Sequence, residues 1–475
     1  MPLSPTYRPD PKLSQLGEGF ADPVAPATFP APQMRVWDQR AAEAIGLDQL
    51  STRERDRHFV EFAPLPENIE KPVALRYHGH QYRVYNPDIG DGRGFLFAQL
   101  RDRDGRLIDL GTKGSGRTPY ARTADGRMTL QGGVREVIAA RWLRALGLPT
   151  CDILALAETG EELTRHDEPP PVRGAVMTRA QHSHLRIGVF QRHAYEERPD
   201  RIAALLDHAV EVYFPALADL PVHEQPAAFL EEAVRANAAL AAQWMAAGFV
   251  HGVLNSDNMT VTGVSFDYGP WRALPVYAPD FTAAYFDEGR LYAYSRQPEA
   301  AAWNLTRLAE CLTLIASDVR PLETALGRFA PAYEDALDAA VCARLGVASE
   351  GRAKDRELTR TLFAFMNDRR PPFEGVFFDA FGGSAARERL AESPRARVYQ
   401  GEVWEAFVTQ LFERAPDRPE RLEHAYFRGD EPVTTTIDVV RGVWSAIAAQ
   451  DDWAPLEALL ARIDEMEEAT TWSRP

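Results

Sequence analysis

The sequence predicts an α+β protein with a strand-rich N-terminal part and a helix-rich C-terminal part. Between about residues 95 and 178, short apolar runs are separated by glycine-containing turns, which is typical of β-strands. From about residue 190, apolar residues recur every three or four positions, as in amphipathic helices. A polar stretch at residues 249–269 interrupts the helical pattern, and we expect the functional site there, between the two parts.

The amino-acid composition limits the classes of molecule that the protein can bind. The 475-residue chain is 45% hydrophobic, which allows a large core in several domains or in one two-lobed unit. Its formal net charge of −16 argues against nucleic acid, because phosphates repel an acidic surface. No apolar run approaches the roughly 18 residues of a membrane span. The widely spaced Cys151, Cys311 and Cys342 favour free thiols in a reducing, cytoplasmic compartment.

The N-terminal part begins with a proline-rich segment and continues with predicted strands. Residues 1–60 suggest an extended arm that lies on the main body, with a short helix from Trp37 to Leu50. Two paired strands, Phe95 to Leu100 and Arg106 to Lys113, are joined by an Asp-Gly turn. Further strands are predicted at 152–158 and 172–178, and helices near 200–215, 227–247, 298–317, 356–367, 402–413 and 454–468.

A lysine and a glutamate in this part suggest phosphate binding. Lys113 ends a predicted strand, and Glu136 lies in the helix predicted over about 132–146. In protein kinases, a lysine on a strand and a glutamate on the next helix form the ion pair that holds ATP phosphates. The alternative is a pair of ordinary surface charges. A glycine-rich turn at 90–94 would let backbone N–H groups approach a phosphate, although any hairpin turn can have this composition.

Other polar residues have more than one interpretation. His78 and His80 lack a third ligand pattern, so a hydrogen-bonded structural role is favoured over a metal site. Arg179 and Arg186 are spaced to share a helix face or to flank a loop. Arginine suits phosphate because its planar fork donates two parallel hydrogen bonds.

The stretch at 249–269 has the order of a kinase catalytic centre: helix, polar loop, predicted hairpin and acidic turn. His251 and Asn258 keep the spacing of the kinase catalytic loop, and Asp267 begins an Asp-Tyr-Gly turn where kinases have Asp-Phe-Gly. Asn258 and Asp267 offer the oxygen ligands that Mg²⁺ prefers. The position of the kinase base is Val253, which cannot accept a proton, and an acid appears instead at Asp257. A polar loop with a chance Asp-Asn pair is the alternative.

Several long motifs together resemble the selenoprotein O family, a kinase-like group. The resemblance runs from about Tyr77 to Leu308. It is carried by YHGHQYRVYNPDIGDGR, TKGSGRTPYAR with the following ADGR, REVIA, MTRAQHSHLR, HGVLNSDNM, DYGP and WNLTRLAE. The chain has no cysteine after Cys342, whereas many members of the family end with a cysteine or selenocysteine.

The resemblance implies a kinase-like two-lobed fold with extra terminal segments. Residues 1–60 would form the arm, 61–188 a strand-rich N-lobe and 189–475 a helical C-lobe. Members are protein adenylyltransferases, which bind ATP in an orientation flipped relative to kinases and transfer AMP to protein hydroxyls. Protein substrates with Ser, Thr or Tyr hydroxyls, including the enzyme itself, are the expected partners, with Mg²⁺ or Mn²⁺ as the cofactor.

The resemblance also assigns roles by position. The nucleotide-binding residues would be Gly90, Gly92, Arg93, Lys113, Asp125, Gly126, Arg179, Arg186 and Asp267, with Glu136 paired to Lys113. Asp257 would accept the proton, and Asn258 and Asp267 would hold the metal. Two other functions remain open at this point: a conventional phosphotransferase that releases ADP, and a nucleotide-binding pseudokinase that acts as a scaffold.

Overall fold

The computed structural model describes residues 4–165 and 168–470 and has the α+β order that the sequence predicts. The strands are β1 (Ala21–Pro23), β2 (Gln33–Trp37), β3 (Val73–Leu75), β4 (Gly79–Gln81), β5 (Val84–Asn86), β6 (Leu96–Arg101), β7 (Leu107–Lys113), β8 (Met128–Thr129), β9 (Asp152–Leu163), β10 (Val172–Gln181), β11 (Phe249–Val250) and β12 (Arg272–Ala273).

Helices dominate the chain after β10. The α-helices are α1 (Gln39–Ala44), α2 (Thr52–Phe59), α3 (Leu130–Ala145), α4 (Ile187–Tyr195), α5 (Pro199–Val212), α6 (Gln225–Ala246), α7 (Gln297–Leu312), α8 (Arg320–Gly327), α9 (Phe329–Arg344), α10 (Arg352–Arg369), α11 (Phe373–Ala380), α12 (Arg387–Glu392), α13 (Glu402–Phe412), α14 (Ile437–Gln450) and α15 (Ala454–Thr470). None of the described helices has the length and apolar character needed to cross a bilayer.

An antiparallel sheet organises the N-terminal part. Its strand order is β1-β3-β6-β7-β10-β9-β2, and β8 pairs with β10 outside this path. Both edge strands, β1 and β2, come from the proline-rich segment before residue 60. Asp102 shapes the β6–β7 turn by accepting hydrogen bonds from the N–H groups of Asp104 and Arg106 at 3.0 and 2.8 Å. Gly105 in that turn has φ +82°, which favours glycine.

Helix α3 packs against the sheet and carries Glu136 toward it. Thr129 caps the helix by accepting a hydrogen bond from the N–H of Gly132 at 3.1 Å. Val134, Ile138 and Trp142 are fully buried in the core between α3, the sheet and α6. This packing fixes the position of Glu136 relative to β7.

Helix α6 leads into the polar stretch predicted as the site. The helix ends before Gly248, whose φ is +61° and where a Cβ atom would lie 2.7 Å from the ring of Phe373. The polar segment then begins, and β11 pairs with β12 across its two ends. The predicted hairpin within this segment is wrong in detail. Thr260 bridges to Arg186 and Ser265 to Thr150, so its two arms pair with other segments rather than with each other.

Candidate active site

A polar cavity of about 320 Å³ lies between the sheet and the loop that follows α6. Most of the site residues predicted from the sequence face it together. Its lining includes Gly90, Gly92, Arg93, Lys113, Arg179, Arg186, Asp257, Asn258 and Asp267. The antiparallel pairing of β7 with β10 brings Lys113 and Arg179 to one wall, because Lys113 is opposite Met177 and Arg179 opposite Gly111.

One end of the cavity, which we call the cationic end, is built around Lys113. Its ammonium forms an ion pair with Glu136 and a second one with Asp267, at 2.6 Å between Nζ and Oδ1. Lys113 and Glu136 are both buried, so the alternative of two ordinary surface charges is wrong. Buried charges of this kind are stable only when they are paired. The lysine is therefore held rigidly at the end of its strand.

The backbone around Asp267 turns its carboxylate toward Lys113. Asp267 has φ +61°, and its carbonyl oxygen accepts a hydrogen bond from the N–H of Gly269 at 2.9 Å. His251 supports this turn because its Nε2–H donates to the carbonyl oxygen of Phe266 at 2.9 Å. Burial lowers the pKa of His251, so the ring remains neutral at neutral pH and acts as a structural clamp.

Asp267 is held in its ionised form. Burial alone would raise the pKa of this carboxyl, but the positive charges of Lys113, Arg179 and Arg93 outweigh burial and hold the pKa well below its usual value. Arg179 also donates a hydrogen bond to Asp267 Oδ1 at 3.4 Å. This end of the cavity thus combines fixed cations with a permanent carboxylate.

The two arginines lie on neighbouring segments of the cavity wall. Arg179 is on β10, and Arg186 directly precedes α4, so they share no helix face. The guanidinium of Arg186 lies 4.4 Å from the centroid of the Tyr77 ring, and it donates to Asp91 Oδ1 at 3.2 Å. Tyr77 and Asp91 were not predicted as site residues, although both belong to the motif at 77–93. Both arginines are buried and face the cavity, which suits the binding of an anion.

Asp257 lines the cavity next to Arg186, which donates to its carbonyl oxygen at 3.3 Å, and we call this part of the wall the acceptor end. Burial raises the pKa of its carboxyl to about 6, and nearby Arg186 opposes this shift. The Oδ1 atom is buried and has no hydrogen-bond partner among the described residues. Asp257 lines the cavity, so its carboxyl group can receive a hydrogen bond from a molecule bound there.

A hydrogen-bond network holds the loop that carries Asp257. Gln191 on α4 donates from Nε2 to His80 Nδ1 at 2.6 Å and accepts from the hydroxyl of Ser256. The hydroxyl oxygen of Ser256 accepts from the backbone N–H of His80 at 2.8 Å. The structural role predicted for the histidines is confirmed, since His78 Nδ1 also lies 2.8 Å from the hydroxyl of Tyr85. Gln191 belongs to no polar motif, so only the tertiary structure identifies it.

A glycine lets the β4–β5 hairpin pack directly against the acidic side chain. A Cβ atom at Gly79 would lie 3.0 Å from Asp257 Oδ1 and 3.2 Å from Asp257 Cβ. That contact is tighter than most Cβ contacts in proteins. A larger residue at position 79 would therefore displace the carboxylate.

The glycine-rich turn at 90–94 closes one side of the cavity. A Cβ atom at Gly90 would lie 2.5 Å from the ring of Tyr120, and one at Gly92 would lie 2.9 Å from its carbonyl oxygen. These glycines therefore permit close packing of residues 90–94 on the 118–124 loop. Asp125 and Gly126 do not line the cavity. Asp125 instead pairs with Arg165 at 2.8 Å on the outside of that loop.

Two oxygen ligands at the cavity wall fit a divalent cation. The side-chain amide of Asn258 donates from Nδ2 to the carbonyl oxygen of Val253 at 3.1 Å, which leaves its Oδ1 available. Asp267 uses Oδ1 for its cationic partners, and its Oδ2 has no hydrogen bond within residues 4–165 and 168–470. In the same part of the chain, no three His, Cys, Asp or Glu side chains form a cluster for a metal. Mg²⁺ is commonly bound through one or two protein oxygens plus substrate phosphates, so this donor set fits it.

Known proteins have similar sequences over nearly the whole chain. A family model described as "Protein adenylyltransferase SelO" matches residues 5–464. The chain is 41% identical to "Protein nucleotidyltransferase YdiU" of Synechococcus elongatus, over 95% of this chain and 94% of the relative. Proteins of the same name from Synechocystis and from Alkalilimnicola ehrlichii are 39% and 35% identical, over 97% of this chain and 98% and 93% of those proteins.

These matches extend the resemblance found in the motifs. From the motifs alone, the resemblance ended near Leu308. The family match continues through the helical C-terminal region to residue 464, so that limit was wrong. The chain belongs to the SelO family of protein adenylyltransferases.

Proposed function

We propose that the protein transfers AMP from ATP to Ser, Thr or Tyr hydroxyls of proteins and releases pyrophosphate. The observation that carries this proposal is the position of the acid. Val253 stands at the kinase base position and cannot accept a proton, whereas Asp257 lines the cavity beside Asn258. We also propose a kinase-like two-lobed organisation, with residues 61–188 as the N-lobe and 189–475 as the C-lobe.

The buried cations define how the nucleotide would bind. Lys113, Arg179 and Arg186 line the same cavity as Asp257. If the β- and γ-phosphates bind to these cations, the α-phosphate is the reactive group nearest the acceptor end. The charge that develops on the leaving pyrophosphate then meets donors that are already fixed in place. Gly90, Gly92 and Arg93 would complete the wall. Asp125 and Gly126 follow Ala124 at the cavity mouth, so they would contact a nucleotide that extends beyond it.

Asp257 can accept the proton that the transfer step releases. The acceptor hydroxyl oxygen attacks the α-phosphorus, and its proton passes to the Asp257 carboxylate. A P–O bond forms to the protein hydroxyl as the bond between the α-phosphorus and the bridging oxygen breaks. The electron pair leaves with pyrophosphate. The hydrogen bonds of the Gln191 network keep Asp257 oriented for this proton transfer.

Asn258 and Asp267 would hold Mg²⁺ or Mn²⁺. A divalent cation bound there would neutralise phosphate charge and polarise the reacting phosphoryl group. The low pKa of Asp267 keeps a negative ligand available throughout the neutral range. Lys113 would share this carboxylate with the metal, through the opposite oxygen atom.

Intact-protein mass spectrometry after incubation with ATP and a divalent cation tests the proposal. We expect an added mass of about 329 Da on the enzyme or on an added protein, which corresponds to AMP. Asp257→Asn should lose this adduct. Adducts of about 80 Da with ADP as the product would indicate a phosphotransferase. Nucleotide binding without any adduct or turnover would indicate a pseudokinase.

A further inference from the structure

Three exposed apolar side chains cluster in the loop that follows the Asp-Tyr-Gly turn. Phe281, Tyr285 and Phe286 are 36%, 85% and 51% exposed. Val84, in the neighbouring β4–β5 hairpin, is 70% exposed. The ring of Tyr82 in the same hairpin lies 5.9 Å from that of Phe286 and joins the two segments. We call Val84, Phe281, Tyr285 and Phe286 the aromatic patch. Exposed apolar groups that occur together, rather than singly, are typical of interaction surfaces.

The loop that carries the patch is held by buried polar contacts. Asp287 is buried, and its carboxylate accepts hydrogen bonds from the N–H groups of Leu291 and Tyr292, both at 2.8 Å. The N–H of Tyr294 donates to the carbonyl oxygen of Phe281 at 2.9 Å. The backbone therefore holds the aromatic side chains in solvent. This exposure is unfavourable, because apolar surface in contact with water raises the free energy of the protein.

The patch is continuous with the acceptor end of the cavity. The side-chain oxygen of Asn255 accepts from the backbone N–H of Tyr82 at 3.1 Å and from the hydroxyl of Tyr292 at 2.8 Å. Asn255 is two residues before Asp257 in the same loop. Gln81, next to Tyr82, lines the cavity itself. One hairpin thus reaches from the wall beside Asp257 to the patch.

We propose that the aromatic patch binds an apolar side chain of the acceptor protein, next to the hydroxyl that is modified. This inference rests on the proposed function. The cationic end of the cavity suits phosphates, whereas an acceptor protein must approach Asp257 from outside and contact the surface around it. A fixed aromatic surface continuous with that loop favours acceptors that have an aromatic or large aliphatic residue flanking the hydroxyl. The patch would position such a hydroxyl against the Asp257 carboxylate.

A peptide library tests the inference with the full-length protein. The peptides have one central serine as their only hydroxyl residue, and each flanking position is either Phe, Leu, Gly or Glu. Transfer is followed with ATP labelled at the α- or γ-phosphate. We expect the wild type to prefer Phe or Leu at one or more flanking positions by about tenfold in kcat/KM, equivalent to about 1.4 kcal/mol. The Tyr285→Ser/Phe286→Ser variant should reduce this preference below about twofold and leave transfer to the Gly-flanked peptide unchanged.

A control uses two other exposed apolar residues, which lie outside the patch. Leu314 and Val319 are 47% and 46% exposed, and Leu314→Ser/Val319→Ser should keep the wild-type preference. A wild type with no flanking preference, or a preference that survives in Tyr285→Ser/Phe286→Ser, would overturn the inference. The inference would also be overturned if sedimentation velocity showed a dimer for the wild type and a monomer for the patch variant. A second copy of the chain would then occupy the surface.

The two readouts separate this inference from the proposed function. The position of the transferred label reports the reaction, and the peptide preference reports the patch. Transfer of the γ-label with the expected peptide preference would contradict AMP transfer and support the proposed role of the patch. Transfer of the α-label without any peptide preference would support AMP transfer and contradict the proposed role of the patch.

Discussion

The two ends of the cavity each contain one aspartate, and their surroundings shift the two carboxyl pKa values in opposite directions. At the cationic end, positive charges outweigh burial and hold the pKa of Asp267 well below its usual value. At the acceptor end, burial raises the pKa of Asp257 to about 6. The same side chain is thereby suited to two roles, a permanent ligand for cations and a group that exchanges a proton. Environment, rather than residue type, separates them.

The two ends also differ in how they are held in place. Ion pairs fix the cationic end, where Lys113 bridges Glu136 and Asp267. Neutral hydrogen bonds fix the acceptor end, where Gln191 links His80 to Ser256. Changes at the first end should therefore affect nucleotide and metal binding, and changes at the second end should affect turnover alone.

The largest effect is expected from removing the carboxylate of the cationic end. Asp267→Asn should lower activity by at least about 10³-fold, because the metal loses a charged ligand worth several kcal/mol in the transition state. Calorimetry should show weaker nucleotide binding in the presence of Mg²⁺, and the melting temperature should fall, because buried Lys113 and Arg179 lose an ionised partner. Asp257→Asn serves as the matched control and should bind nucleotide as the wild type does. Equal loss of binding in both variants would contradict the distinction between the ends.

A smaller effect is expected from loosening the acceptor end. Gln191→Leu removes the bonds to His80 and Ser256 and should lower kcat by about 10- to 100-fold, because a small displacement of a catalytic group has effects of this size. The Kd for nucleotide should not change. Gln225→Leu is the control, since Gln225 is also buried and donates to the carbonyl oxygen of Leu220 at 3.2 Å, outside the cavity lining. A change in Kd rather than kcat would show that the network belongs to the nucleotide site.

The smallest effect concerns the cysteines, which lie outside both ends. Burial raises the pKa values of Cys151, Cys311 and Cys342 to about 12, so their thiols stay protonated below that pH. None of the three lines the cavity. Reductant should change activity by less than about twofold, equivalent to about 0.4 kcal/mol. A strong response to dithiothreitol in the folded protein would show that at least one of these thiols is accessible and linked to the site.

Sequence reasoning predicted the order of elements and the family, because both depend on local patterns and on long motifs. Alternating apolar runs and turn residues were sufficient for the β6–β7 pair. The ends of some elements were not predictable in the same way. The β9 strand extends to Leu163, since its residues Glu162 and Leu163 pair with Arg173 and Val172 of β10 beyond the apolar run. The segment at 259–266 pairs with distant segments, which no local pattern indicates.

The site residues that belong to sequence motifs were predictable. The site residues whose role depends on tertiary packing were not. The spacing of Lys113, Asp257 and Asp267 indicated a common site, and the structure places all three around one cavity. The contacts of Gln191 and Gly79 with the loop that carries Asp257 depend on how α4 and the β4–β5 hairpin pack against it. Neither residue has a sequence signature for that role. The family motif also suggested Asp125 as a nucleotide contact, and the structure pairs it with Arg165 outside the cavity.

The most direct test of the central claim follows the two labels of ATP in single-turnover experiments with wild type and Asp257→Asn. We predict that the α-label becomes covalent on protein in the wild type and that the γ-label leaves as pyrophosphate. Asp257→Asn should slow this transfer by about 10²- to 10⁴-fold with unchanged nucleotide affinity, as expected for the loss of a general base. Covalent γ-label, or transfer by Asp257→Asn at the wild-type rate, would contradict the assignment of Asp257 as the proton acceptor in AMP transfer.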